Sequence, residues 1–232
     1  ARELQYILLP RRAPEIAGLE IATSVRPARE ISGDLYDFLP QGRDHTLIAM
    51  GDVSGKGAAA ALYAALVSGL LRSLAPARLE LPSLLRTLNA ALLERKADGR
   101  FVTLLALRWE ERKKKLRMAN AGGMAPLICR GGEIHKPKVE GVPLGLLEER
   151  EYDEVTFQTA PGALILLYSD GIEDQHNTAG DHYGRGRLAR LLEGHCQDSP
   201  RAIVDAVCVD LDRFADGAAT YDDQTLIAMR VK

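Results

Sequence analysis

The stretch Thr46-Leu47-Ile48-Ala49-Met50-Gly51-Asp52-Val53-Ser54-Gly55-Lys56-Gly57 decides how the rest of the chain is read. Thr46–Met50 is a short apolar run of strand type, and Ala58–Leu74 after the loop has the length and apolar content of a helix. Between them the chain carries one aspartate and a high density of glycine. A carboxylate at a strand end is held rigidly, and glycine beside it leaves space for a ligand. The helix that begins directly afterwards presents backbone N–H groups toward the same loop. A phosphate-binding P-loop is excluded: it needs four residues between its first two glycines and then Lys with Ser or Thr. Here Asp52, Val53 and Ser54 alone separate Gly51 from Gly55, and Lys56 is followed by Gly57.

Outward from this unit, the pattern before it is strand-like. Leu19, Ile21, Thr23 and Val25 alternate with other residues, and Leu35–Leu39 forms a second run. Leu62, Leu66, Gly69, Leu70 and Leu74 share one face of the helix Ala58–Leu74. Pro82 and Ser83 open a second helix with Leu84, Leu85, Leu88 and Leu92 on one stripe, and the short connection makes the two antiparallel neighbours. A strand-rich block follows, with Phe101–Trp109, Lys115–Ala121, Tyr152–Gln158 and Ala163–Tyr168 as its best members. Helices are expected near Arg187–Glu193 and over Pro200–Phe214, where Ile203, Val207, Leu211 and Phe214 line one side, and a last strand over Thr225–Val231. This order is not the alternating one of a parallel α/β sheet. It predicts an α+β fold with largely antiparallel sheets and paired helices on the faces. One domain over residues 11–232 is the simplest expectation, with 1–10 the remnant of an N-terminal linker helix that carries Leu4, Ile7 and Leu8 and stops at Pro10.

Three further segments repeat the pattern of an aspartate at the end of an apolar strand: Ser32-Gly33-Asp34, Tyr168-Ser169-Asp170-Gly171 and Tyr221-Asp222-Asp223-Gln224-Thr225. Any one Asp-Gly pair is ordinarily a turn, but four such ends in one chain form a candidate site. Carboxylates brought together repel one another unless a cation neutralises them. Oxygen-only ligands suit hard cations such as Mg²⁺ or Mn²⁺ rather than zinc. No histidine pair has metal spacing, and the cysteines are scattered.

Composition removes several classes. Apolar residues at 46 % allow a sizeable core, and charged residues at 27 % are near the globular average. A net charge of −2 with no basic stripe argues against nucleic acid as a partner. The run Arg112-Lys113-Lys114-Lys115 reads as a charged hairpin turn. Cys129, Cys196 and Cys208 fit reduced thiols of a cytoplasmic protein better than a disulfide framework. No apolar run approaches the roughly 20 residues of a membrane span, so no direct membrane contact is expected. The opening Ala1-Arg2-Glu3-Leu4-Gln5 reads as mid-helix, which raises the expectation of an upstream sensor domain and of a homodimer.

At these residues the chain resembles the SpoIIE/RsbU-type bacterial serine phosphatases, a branch of the metal-dependent protein phosphatase 2C superfamily. The similarity lies in Pro27–Phe38, Gly51–Gly57, Phe101-Val102-Thr103-Leu104, Asn120-Ala121-Gly122-Gly123, Gly141-Val142-Pro143-Leu144-Gly145, Tyr168–Ile172 and Asp222–Leu226. The segments stand in the family's order and span nearly the whole chain. The resemblance implies an αββα sandwich with two Mn²⁺ or Mg²⁺ ions. It implies that Asp52 bridges both ions, that the Val53 carbonyl binds one, and that Asp170 and Asp222 hold the other. Asp34 would act mostly through bound waters. Asp223 matches a position that is asparagine in many relatives and ranks below Asp222. The implied activity is hydrolysis of phosphoserine or phosphothreonine by a metal-activated water, with Asp34, Asp52, Asp170 and Asp222 as the catalytic set. The implied substrate is a phosphorylated anti-anti-sigma protein of STAS type. The alternative is a catalytically silent module that binds phosphoprotein. Gly123 stands where many relatives have histidine, and Glu173-Asp174 where they have Thr-Glu. No residue clearly matches the phosphate-gripping arginine of eukaryotic relatives, and Arg29 is a candidate by proximity alone.

Overall fold

The structure, a computed structural model, describes residues 10, 14–29, 31–94 and 99–232. The short helix expected over Leu4–Leu8 lies outside the described residues. The chain divides into two compact units, and each is built on one antiparallel five-stranded sheet.

The first unit contains Glu30–Ala125 and Pro137–Gln158. Its strands are β2 (Leu35–Pro40), β3 (His45–Val53), β4 (Val102–Glu110), β5 (Lys115–Ala121) and β8 (Glu154–Gln158), side by side in that order. β3 is an interior strand, and buried positions run along nearly all of it because both neighbours and the helices cover it. Helices α1 (Ala58–Leu74) and α2 (Leu81–Glu94) complete the unit. Gly57, at φ 82°, caps α1, and the chain leaves it through a 3₁₀ turn that holds Pro76. Lys113 and Lys114 sit in the tight turn between β4 and β5, with Lys114 at φ 47°, as the charge run predicts.

The most buried face of α1 lies beside the expected one, whose Leu66, Leu70 and Leu74 are partly buried and pack against the core. Ala60, Tyr63, Ala64, Val67, Ser68 and Leu71 face the core, whereas Leu62 is 69 % exposed. A helix rich in Ala and Leu around its whole circumference offers two apolar stripes, and periodicity alone does not choose between them. On α2 the stripe Leu84, Leu85, Leu88 and Leu92 is buried as expected. The expectation about membrane-span length also needs correction. Ala58–Ala77 covers 20 residues at mean hydropathy 1.6, long and apolar enough by length and composition. Serines and a glycine break the run in the sequence, and in the fold its apolar face joins the core of the first unit.

Asn89 of α2 explains a motif that carries no ionisable group. Its buried side chain accepts from the Gly145 N–H at 2.8 Å and donates to the Leu147 carbonyl at 3.0 Å. Leu144 exchanges two backbone bonds with Val102 of β4. Gly141 lies so close to the Asn120 carbonyl that a Cβ there would sit 1.8 Å from it. The Asn120 amide in turn donates to the Val139 carbonyl at 2.9 Å. Gly141–Gly145 is therefore a strap fastened to α2, β4 and β5.

The second unit contains Arg12–Arg29, Pro126–Lys136 and Thr159–Lys232. Its strand order is β1 (Leu19–Arg26), β10 (Gln224–Val231), β9 (Leu164–Tyr168), β6 (Leu127–Arg130) and β7 (Glu133–His135). β1 and β10 pair over their full lengths, Leu19 opposite Val231 through Arg26 opposite Gln224. The helices are α3 (Asp170–Glu173), α4 (Gly184–Gly194) and α5 (Pro200–Ala215). Ser199 caps α5 by accepting from the Ala202 N–H, with Pro200 in the first turn. Arg187 grips Asp210 with two nitrogens at 2.8 Å while lying over the rings of Tyr183 and Phe214.

Cys129 of β6 and Cys196, just after α4, form a disulfide with Cα atoms 5.9 Å apart. The expectation of three reduced thiols fails for this pair, and Cys208 alone is free. The two residues are 67 apart in sequence, and only the packing of α4 near the end of β6 brings them together. The class expected from the sequence is the observed one: α+β, with two antiparallel sheets and paired helices.

Candidate metal centre and its two groups of carboxylates

In the first unit, antiparallel pairing of β2 with β3 sets Leu35 opposite Gly51. The start of β2 therefore lies against the end of β3, and Gly33 and Asp34 meet Asp52 and Val53. The Val53 N–H donates to the Gly33 carbonyl. A Cβ at Gly33 would sit 2.7 Å from Asp52 Oδ1 and 3.1 Å from the Val53 carbonyl oxygen. A carboxylate oxygen and a backbone carbonyl thus converge on one point that only glycine leaves open. Asp34 is buried, its N–H donating to Ser32 Oγ at 3.0 Å. Asp52 is half-buried.

The loop after Asp52 is laced to the segment before β4. Ser54 exchanges bonds with Phe101 through N–H to carbonyl at 3.0 Å and through Oγ from N–H at 2.9 Å. Arg100 Nη1 donates to the Ser54 carbonyl at 3.1 Å. Gly55 and Gly57 have φ of 93° and 82°, values that side chains rarely tolerate.

The second unit repeats the device. β9 and β10 are hydrogen-bonded neighbours, so Asp170 at the end of one lies beside Asp222 and Asp223 at the start of the other. A Cβ at Gly171 would sit 2.2 Å from the Asp223 carbonyl oxygen. Ser169 Oγ donates to that carbonyl and accepts from the Thr225 N–H, both at 2.9 Å. Burial raises the Asp170 carboxyl above the usual carboxylate range, and the negative charges of Asp222 and Asp174 raise it further. Asp223 Oδ1 accepts from the Ala28 N–H at 2.8 Å, which gives this side chain a structural anchor. Arg29, one residue further on, is exposed.

Among the described residues no three His, Cys, Asp or Glu side chains stand together as a cation site. Each unit offers carboxylate and carbonyl oxygens instead. The donor set still fits a hard divalent cation, because it is all oxygen and because a bound cation would relieve the repulsion that Asp222 and Asp174 exert on the Asp170 carboxylate. A cleft of about 660 Å³ on the first unit, lined by Arg86, Asn89 and Leu93 among others, holds none of the candidate residues.

The departures from the family pattern have local reasons. Asn120 Oδ1 accepts from the Gly123 N–H at 2.7 Å, and a Cβ at Gly123 would lie 3.0 Å from the Leu105 backbone nitrogen. Glycine there packs on β4 where a larger residue would press. Glu173 accepts from the Tyr168 hydroxyl at 2.7 Å, and burial with this partner pushes the phenol well above its ordinary range. What sequence reasoning missed is Arg100, whose only signal was that it precedes Phe101-Val102-Thr103.

If the Gly33 cradle serves a cation, Gly33→Ala raises the Mn²⁺ concentration for half-maximal activity by at least about tenfold, since the methyl displaces a ligand oxygen. A titration of activity against Mn²⁺ checks this, and an unchanged midpoint would refute it.

Known proteins share the family and the fold of this chain. The family model for Stage II sporulation protein E (SpoIIE) matches residues 42–232. The chain is 26 % identical over 234 residues to the phosphoserine phosphatase RsbU of Bacillus subtilis, covering all of this chain and 69 % of that protein. It is 25 % identical over 256 residues to protein IcfG of Synechocystis, covering 98 % of this chain but only 40 % of IcfG. Among solved structures, the SiaA-PP2C domain of Pseudomonas aeruginosa superposes with a TM-score of 0.84 at 22 % identity, covering 91 % of this chain and 86 % of that one. With a family model matched over residues 42–232, the chain belongs to the SpoIIE family, and it shares the fold of a PP2C domain.

Proposed function

We propose that this chain is a Mn²⁺- or Mg²⁺-dependent phosphatase of phosphoserine and phosphothreonine in proteins. The observation that carries the reading is the convergence of Asp52 Oδ1 and the Val53 carbonyl on Gly33, in a chain matched to the SpoIIE family over residues 42–232. Asp34, Asp52, the Val53 carbonyl, Asp170 and Asp222 are the proposed ligands of two ions, with Asp223 subordinate because Ala28 occupies one of its oxygens. Divalent ions, when bound, lower the pKa of water toward neutrality and offset the charge of the phosphoryl group.

The chain's own contribution is placement. β3 and β9 deliver Asp52 and Asp170 from strand ends buried on both sides, so the carboxylates do not drift. Gly33 and Gly171 let the neighbouring segments close to contact distance. The Ser54–Phe101 bonds fix the loop that follows Asp52. The free thiol, Cys208, lies on α5 with Ser24 Oγ as its neighbour at 3.8 Å, away from every candidate segment in the sequence, so it is not assigned a nucleophilic role.

The relatives named phosphoserine phosphatase support phosphoserine as the group attacked, and the proposal extends to a phosphorylated regulator of STAS type as substrate, a cytoplasmic setting and an upstream sensor domain. The test is release of inorganic phosphate from a phosphoserine peptide and from a phosphorylated STAS-domain protein, each with and without Mn²⁺. Faster turnover of the folded protein supports the substrate assignment, and no release from either sinks the proposal. A peptide turned over as fast as the protein would remove the STAS assignment alone.

A further inference from the structure

Arg100 has a geometry the metal ligands do not account for. It is half-buried, and Nη1 reaches across to the Ser54 carbonyl at 3.1 Å in the loop that begins at Asp52. A Cβ at Gly55 would lie 3.1 Å from the same nitrogen, so any side chain there would push the guanidinium away. Gly55 is needed for its φ of 93°, and a Cβ there would shift the guanidinium by a few tenths of an ångström. The Arg100 charge also reaches Tyr63 of α1, where it offsets part of the upward shift that burial gives the phenol.

The guanidinium has five N–H donors in a planar fork, and the Ser54 carbonyl engages one nitrogen. Among the described residues no carboxylate pairs with Arg100, and its guanidinium donates there to the Ser54 carbonyl. A half-buried cation beside a loop of proposed metal ligands, with donors left over and no carboxylate partner among the described residues, suits a dianion. A phosphoryl group presents the oxygens such a fork grips in pairs.

We propose that Arg100 binds the phosphoryl group of the substrate, donating to its oxygens beside the Asp52–Gly57 loop. This rests on the phosphatase reading above. The competing role is a brace that only holds the Ser54 carbonyl in place. The two roles differ in what they move: a phosphate ligand sets affinity for phosphate, whereas a brace sets affinity for the metal.

The experiment is equilibrium dialysis of radiolabelled inorganic phosphate at saturating Mn²⁺ against wild type, Arg100→Lys and Arg100→Ala. Steady-state kinetics on a phosphoserine peptide run beside it. Arg100→Ala is expected to raise both the phosphate Kd and KM by at least about tenfold, the loss of one charge-assisted contact. The Mn²⁺ midpoint and the melting temperature should not move. Arg100→Lys should fall between, because lysine keeps the charge and loses the fork, and it carries the comparison if the alanine variant does not fold. Equal phosphate binding by the three proteins overturns the assignment. So does a Mn²⁺ midpoint that rises in step with KM, which identifies a brace. Dialysis needs no turnover, so a wild type that holds phosphate through Arg100 yet hydrolyses no phosphoserine would overturn the phosphatase reading and leave this assignment standing.

Discussion

Asp52→Asn is expected to slow hydrolysis of a phosphoserine peptide by more than about a hundredfold at saturating Mn²⁺. Loss of an outer-shell partner of a metal ligand already costs 10- to 100-fold, and Asp52 is proposed as a ligand to both ions. The melting temperature should stay within about 2 °C, because Asp52 is only half-buried at a strand end and asparagine keeps its shape. That separation of effects distinguishes a functional carboxylate from a structural one. A rate near wild type, in a folded protein, would remove Asp52 from the site.

The second large effect concerns the disulfide, and it is one of stability. Closing a loop between residues 67 apart removes about 4 kcal/mol of chain entropy from the unfolded state in the loop-closure model. The double variant Cys129→Ala/Cys196→Ala, or treatment with a dithiol reductant, should therefore lower the melting temperature by about 8 to 16 °C for a domain of this size. Both cysteines are buried, so the reductant acts slowly on the folded chain. Differential scanning calorimetry in oxidising and reducing buffer reads the shift directly. Equal transitions in the two buffers would show that the bond contributes nothing. The bond also bears on the setting: disulfides of this kind are uncommon in the cytosol of mesophiles, and in a reducing compartment the protein would run at the lower stability.

Much of the fold could be read from residues whose environment is local. α1 begins after Gly57 and ends before Pro76, so both its ends are written in the sequence, and Lys115–Ala121 alternates clearly enough to give β5 its bounds. β6 and β7 could not be delimited in the same way. They have four and three residues on either side of Gly131-Gly132, and β6 is buried by pairing with β9 rather than by any alternation of its own. The core-facing side of α1 is only half legible, because Ala60 and Ala64 fill fully packed positions while Leu66, Leu70 and Leu74 pack at its edge and Leu62 stands outside it. The Cys129–Cys196 bond depends on where α4 lands, which no spacing in the sequence encodes.

The candidate site shows the same division. Each aspartate was visible as a polar residue at the end of an apolar strand. The partner of each was not, because it comes from the neighbouring strand: Gly33 beside Asp52 through the β2–β3 register, and Gly171 beside Asp223 through β9 and β10. Two segments that carry the family resemblance, Asn120–Gly123 and Gly141–Gly145, are fastened to each other and to α2. Their residue types are fixed by contact distance and not by chemistry.

Metal binding by the proposed ligand oxygens can be read without any substrate. Its most direct measurement is the number of Mn²⁺ ions bound per chain, by equilibrium dialysis of metal-free wild type and of Asp52→Asn. Two ions on the wild type, and a clear loss of occupancy with Asp52→Asn, are predicted. A wild type that binds none, or an Asp52→Asn variant that binds as many ions with the same affinity, would contradict it.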